Sequence, residues 1–269
     1  MSCRNDMPNG GEYTSGTALN IEEMGYRAKS ILNERVNNAK TLVKYLCDKG
    51  WAAEAALGVA GVIYAESGIN PKAYNSSEHK DGYAYKDIHA PNAKKVTYNG
   101  KEYYLDQASM MAWGYGKGIA QWSWTRNFKF RDWYNGGADG QKTSSIPTMD
   151  ENAMNITGTT LTTQLAYFWH ETQSPGRKGF REKMASIQHV SDGGGTSELN
   201  RAFEENIIIG VDAALRGYEN GGPGFASEKF IDKYTWAGGY KGSMQTRVNY
   251  ALGIYNKLKD MPDMRPYFG

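Results

Sequence analysis

The sequence predicts a mainly α (α+β) fold, with helices dominating and one small β-hairpin region inserted after the second helix. Three observations predict it. Apolar residues recur at helical spacing in most segments that lie between glycine or proline stops. An Asn-Gly pair, Asn99-Gly100, separates KKVTY from KEYYL, which is a strong short-range hairpin signal. The 269 residues are 40% hydrophobic and 13% aromatic, enough to build a real core.

Taken in chain order, residues 1–20 are rich in Gly, Ser, Asn and Thr and read as a flexible N-terminal arm. A helix or pair of helices follows from Ile21 to Asp48. Its apolar face is Val36, Ala39, Leu42, Val43 and Leu46, and Gly50 supplies the stop. The span Trp51–Glu66 is small and apolar around every face, the pattern of a buried helix, and Gly58 and Gly61 let another helix approach closely. Gly68, Asn70 and Pro71 end it. Residues 74–112 form a polar, Tyr-rich insert that carries the hairpin. Trp113–Gln121 is too rich in glycine for a helix and reads as strand or tight loop. Trp122–Tyr134 is helical, and 136–160 is a long polar loop. Four further helices are expected at Leu161–Thr172, Arg177–His189, Thr196–Tyr218 and Gly242–Lys259. Ile207, Ile208, Val211, Ala214, Leu215 and Tyr218 make an apolar stripe on the third of these. Residues 21–260 are thus read as one domain, with 261–269 as a C-terminal tail.

Charge and composition exclude several function classes. A formal net charge of +2 gives no strong attraction to nucleic acid. No run of about 18 apolar residues is present, so no membrane insertion is expected. Residues 1–15 lack the apolar core of a Sec signal peptide. Cys3, Cys47 and four histidines provide neither a disulfide framework nor metal-ligand spacing, so no metal and no cofactor are expected. His170-Glu171 lacks a second His four residues on, and His79 and His89 have no ligand partners. Cys47 falls on an apolar helix face and reads as a buried thiol rather than as the nucleophile of a Cys–His amidase.

Glu66 stands out against this background. In the helix that it ends, the only other formal charge is Glu54 in the first turn. A carboxylate suits the first turn and opposes the last, because the helix macrodipole is negative there. Glu66 also shares its face with Val62 and Ile63. Both influences favour a carboxyl that keeps its proton, which is what glycoside cleavage needs at the leaving oxygen. The alternative for this residue is an ordinary ion pair or a backbone cap.

A second feature is GYGKGIAQW, Gly114–Trp122. Its glycines permit turns and close ligand approach that side chains would block. Gln121 offers an amide donor and acceptor, Trp122 a stacking face, and Tyr115 a further aromatic contact, so these three are the expected substrate-binding residues, with plain packing as the alternative for each. The spacing does not match a dinucleotide or phosphate loop.

In their order, ESGINP (Glu66–Pro71), GYGKGIAQWSWTR (Gly114–Arg126) and LTTQLAYFWHE (Leu161–Glu171) resemble the phage tail lysozyme family, within the lysozyme and lytic transglycosylase superfamily. Tyr218-Glu219, Arg247 and Ala251 are similar to the family's closing segment. The resemblance implies a lysozyme-like helical domain with the β-hairpin region inserted after the catalytic helix. It also implies Glu66 as the catalytic acid and the glycan strands of bacterial peptidoglycan as substrate. Phage virion or tail proteins are the other implied partners. The insert after ESGINP is longer than the family leads one to expect.

A hydrolase needs a second acid, for which Glu78, Asp81, Asp87, Asp106 and Glu219 are available, with Glu219 and Asp81 foremost. Glu219 has an alternative role in an ion pair with Arg126 or Arg247. A lytic transglycosylase uses Glu66 alone, and a catalytically inactive glycan-binding or structural virion module is the non-enzymatic alternative. The expected location is the virion, or the host cytoplasm followed by release to the cell wall.

Overall fold

Residues 53–64 are buried almost without interruption, because their side chains leave no polar face to turn toward water. They belong to the second of the helices in a computed structural model of the chain. The structure describes residues 26–73, 95–98, 100–104, 116–122, 124–136, 156–191, 197–219, 225–229, 231 and 239–269. The N-terminal arm with Cys3, most of the 74–112 insert, Tyr115 and the greater part of the 136–160 loop lie outside them.

The fold is mainly helical. In order come α1 (Asn33–Asp48), α2 (Ala53–Ser67), β1 (Lys95–Tyr98), β2 (Lys101–Tyr104), α3 (Trp124–Gly136), α4 (Leu161–Thr172), α5 (Lys178–Ser186), α6 (Ser197–Ala214), α7 (Gly239–Leu258) and α8 (Arg265–Phe268). The chain divides into two compact units, Met1–Ala65 with Trp169–Gly269, and Glu66–Phe168. Among the described residues no helix is long and apolar enough to cross a membrane.

In the first unit α2 runs against α6 and α7. A methyl group built on Gly58 would stand 2.7 Å from the Gly210 Cα and 2.6 Å from the Val211 nitrogen. On Gly61 it would stand 2.8 Å from the Ala251 Cβ. The small residues of α2 therefore set how closely the helices pack, as expected from the sequence. Leu57, Val59, Val62 and Ile63 of the same helix are buried, each contributing about 1.5–3 kcal/mol. Glu54, fully buried, accepts hydrogen bonds from the Val190 N–H (2.7 Å) and meets His189 Nδ1 at 3.1 Å, tying the segment after α5 to α2.

Three differences from the sequence reading have local causes. In the span Ile21–Asp48, expected to hold a helix or pair of helices, the described residues 26–32 are not helical and α1 begins at Asn33, because Arg27 and Lys29 give their N–H groups to the Asn249 side chain and carbonyl of α7 instead. The helix expected to reach Tyr218 changes at Leu215 into a π turn, Leu215–Glu219, whose Gly217 carbonyl accepts from Arg177 Nη1 at 2.9 Å. Residues 261–269, read as a tail, fold back: Phe268 is buried with its ring edge-on to Phe203 and Tyr255.

In the second unit β1 pairs antiparallel with β2, Val96 opposite Tyr103, and Gly100 holds the turn with φ 75°. Its core gathers Ile69, Ile119, Trp122, Phe130, Ile156, Leu165 and Phe168. The predicted helix over Trp122–Tyr134 is shifted by two residues to α3. The reason is that Trp122 is claimed by the preceding turn.

Candidate active site

Glu66 lies in the last turn of α2, half-buried, and is the first residue of the second unit. Immediately beyond it the backbone reverses through two left-handed residues, Gly68 (φ 64°) and Ile69 (φ 53°). Left-handed geometry costs a branched side chain about 1–2 kcal/mol, and Ile69 adopts it because its side chain is completely buried. Asn70 then stabilises the bend, accepting from the Lys72 N–H through Oδ1 at 3.0 Å.

The glycine motif is a tight turn closed by a backbone bridge between Lys117 and Trp122. Gly118 is left-handed (φ 70°), and so is Gln121 (φ 48°). The Gln121 amide donates to the Gly118 carbonyl at 3.0 Å and so braces the turn from within. A side chain at position 118 is excluded twice, by the backbone angle and by the Gln164 Oε1 that a Cβ would approach to 2.6 Å. Lys117 is only 6% exposed, and loss of hydration pushes its ammonium down to about 8.

Two hydrogen bonds lace this turn to the segment that follows Glu66. Ser67 Oγ donates to the Ile119 carbonyl at 2.6 Å, and the Gly118 N–H donates to the Ala73 carbonyl at 2.9 Å. A third residue joins them. The fully buried amide of Gln164, on α4, accepts from the Ile119 N–H at 2.9 Å and donates to the carbonyls of Pro71 and Ile156, each at 2.9 Å. Neither Ser67 nor Gln164 was among the site residues expected from sequence. The available signal for Gln164 was a polar residue placed on the apolar stripe Leu161–Leu165–Phe168.

Other expected site residues fare differently. Trp122 presents no stacking face: it is completely buried, its ring 5.2 Å from Phe130 and 5.4 Å from Tyr167. Its apolar ring is worth more in that aromatic core than at a wet surface. Gln121 is half-buried beside the turn. Tyr115, Glu78, Asp81, Asp87 and Asp106 fall outside the described residues. Glu219 ends the π turn and forms a two-pronged ion pair with Arg247, the arrangement considered for it as a structural residue. Arg126 receives the Tyr167 hydroxyl on its carbonyl at 3.4 Å. Glu171 accepts from the Tyr218 hydroxyl at 2.6 Å. Burial and nearby carboxylates push the Cys47 thiol up to about 12, which leaves it without the thiolate that a Cys–His amidase needs.

The class these features define is a mainly helical protein with a candidate acid at a helix end, hydrogen-bonded through its neighbour to a glycine turn. The chain belongs to the phage tail lysozyme family, whose model matches residues 37–207. The matched span contains Glu66, the glycine turn and Gln164, whereas Glu219 and Arg247 lie beyond it. No curated protein and no solved structure matches the chain. Family membership gives the chain a lysozyme-like role directed at peptidoglycan.

Proposed function

We propose that this chain is a phage-type lysozyme. It cleaves the β-1,4 bonds between N-acetylmuramic acid and N-acetylglucosamine, with Glu66 as general acid. The observation that carries this reading is the Ser67–Ile119 hydrogen bond, which ties the residue after Glu66 to the glycine turn. A sugar laid along that turn would bring its glycosidic oxygen to the Glu66 carboxyl. Proton transfer to that oxygen lets the C–O bond break, leaving positive charge on the anomeric carbon and ring oxygen. Gln121 Oε1, with its amide nitrogen already donating to Gly118, is left to accept from a sugar hydroxyl or N-acetyl N–H. Tyr115 is proposed as the second substrate contact.

In a hydrolase a second carboxylate activates water or forms the glycosyl intermediate, and Asp81 is the remaining foremost candidate. Both oxygens of Glu219 accept from Arg247, which engages the lone pairs that a base or nucleophile would use and favours the alternative of a lytic transglycosylase. There the substrate's own 6-hydroxyl attacks the anomeric carbon and Glu66 alone handles the proton. The protein is proposed to reach peptidoglycan as part of the virion, or by release from the host cytoplasm.

The test is release of soluble fragments from purified peptidoglycan by wild type and Glu66→Gln. Loss of a general acid should cut release by at least about a hundred-fold. Equal release by the two proteins would end the catalytic reading of Glu66. Binding without release by the wild type would instead identify a glycan-binding module. Mass spectrometry separates the enzymatic routes, since hydrolysis leaves reducing ends and transglycosylation leaves anhydro-muramic ends.

A further inference from the structure

We infer that Gln164 is a positioning residue for the reaction at Glu66, acting through the Ile119 peptide. The inference rests on the proposed glycan-cleaving function and names a residue that sets its geometry. The Ile119 peptide group is held from both sides. Its N–H donates to Gln164 Oε1 at 2.9 Å, and its carbonyl accepts from Ser67 Oγ at 2.6 Å. Gln164, Ile119 and Ser67 thus form a chain of hydrogen bonds that ends one residue from Glu66.

The other end of the Gln164 amide is equally committed. Its Nε2 donates to Pro71 O and Ile156 O at 2.9 Å and lies 3.1 Å from Thr159 Oγ1. One buried side chain therefore joins the bend after Glu66, the glycine turn and the Ile156–Gly158 turn. An amide is the only neutral side-chain group that both accepts and donates in this way. A carboxylate would leave Pro71 O and Ile156 O facing an acceptor, and a hydrocarbon would strip the Ile119 N–H and Pro71 O of this partner, while Ile156 O keeps the Thr159 N–H and hydroxyl.

The turn needs such an external hold. Gly118 and Gln121 are both left-handed, and a non-glycine residue there is strained by roughly 1–2 kcal/mol. Released from Gln164, the turn can relax away from the end of α2. A misplacement of about 1 Å costs on the order of a hundred-fold in rate when the reacting groups are otherwise intact.

The experiment compares wild type, Gln164→Glu, Gln164→Leu and Glu66→Gln on soluble glycan fragments, well below each protein's melting temperature and per folded molecule. For the folded Gln164 variants kcat should fall by roughly 30–100-fold with KM within about three-fold of wild type. A residue that merely stabilises the fold would lower the folded fraction and leave kcat per folded molecule unchanged. In Gln164→Glu the loss should shrink by about ten-fold between pH 8 and pH 5, because the protonated carboxyl regains one donor. Should Gln164→Leu fail to fold, Gln164→Glu and its pH-dependent rescue carry the test alone. Wild-type kcat in either folded variant, or a loss in Gln164→Glu that is independent of pH, overturns the inference.

Amide hydrogen exchange separates this inference from the function on which it rests. In folded Gln164→Leu, which removes the acceptor of its N–H, the Ile119 amide should exchange at least about ten-fold faster than in wild type, with core amides of α3 unchanged. If wild type and Glu66→Gln release fragments equally, the glycan-cleaving reading fails whatever Gln164 does. Unchanged protection of Ile119 would overturn the hydrogen-bond chain itself.

Discussion

Arg247 grips both carboxylate oxygens of Glu219, Nε to Oε2 at 3.1 Å and Nη2 to Oε1 at 2.7 Å. The guanidinium side chain is 7% exposed and the carboxylate 20%, so water does little to screen the pair. Removing one partner leaves the other charged and poorly hydrated. Arg247→Met should therefore lower the unfolding free energy by about 3–5 kcal/mol, read from denaturant unfolding. Glu219→Gln, assayed on folded protein, should retain turnover within about three-fold of wild type. A loss as deep as that of Glu66→Gln would return Glu219 to the role of second acid.

Trp122 should matter for stability and not for glycan affinity. Its ring is fully enclosed by Phe130 and Tyr167 in the second unit. Trp122→Ala should cost about 3–5 kcal/mol through the cavity it leaves, while Trp122→Phe should cost less than half as much. Glycan binding by folded Trp122→Phe should match wild type in calorimetry. A ten-fold loss of affinity there would show the ring reaching substrate.

A close helix approach in the first unit gives a steric prediction. A Cβ on Gly58 would press on the Gly210 and Val211 backbone of α6, atoms that cannot swing aside as a flexible side chain can. Gly58→Ala should destabilise by about 3 kcal/mol, the upper part of the range for overpacking, even though alanine favours a helix. A melting temperature equal to wild type would mean that the two helices separate without cost.

Lys117 predicts a pH dependence. Its ammonium is held at about 8, against 10.5 for an ordinary lysine, because burial strips its hydration. Between these values the unfolded chain keeps a proton that the native chain has released. Stability from this group therefore rises with pH across that window, and below pH 8 its penalty is fully present. Lys117→Met should be more stable than wild type at pH 7 by on the order of 1 kcal/mol, less than the whole shift implies because the ammonium keeps some solvent. The difference should fade by about pH 10, measured by denaturant unfolding across the range. Parallel stability curves for the two proteins would count against it.

Much of the helical architecture was legible because burial on a helix leaves a periodic trace. The all-apolar α2, the stripe of α6 and the stop after Glu66 could each be read from spacing. The start of α1 could not, since Arg27 and Lys29 are diverted by Asn249, more than two hundred residues away. The sequence left Trp122 open between sugar contact and packing for a related reason. A tryptophan beside glycines looks the same in sequence whether its ring faces sugar or a neighbouring Phe130.

By itself the sequence determined a mainly helical protein, a lone acid at the end of a buried helix, and a glycine turn too constrained for a helix. Composition, periodicity and short motifs carry those features, because each arises from residues close together in the chain. Only the tertiary structure decided which groups hold the acid's surroundings in place. The bonds that do so join Ser67 to Ile119, Ile119 to Gln164 and Gln164 to Pro71, across 52, 45 and 93 residues. Side-chain amides and hydroxyls choose among many backbone partners, and that choice is made only when packing brings distant segments within about 3 Å.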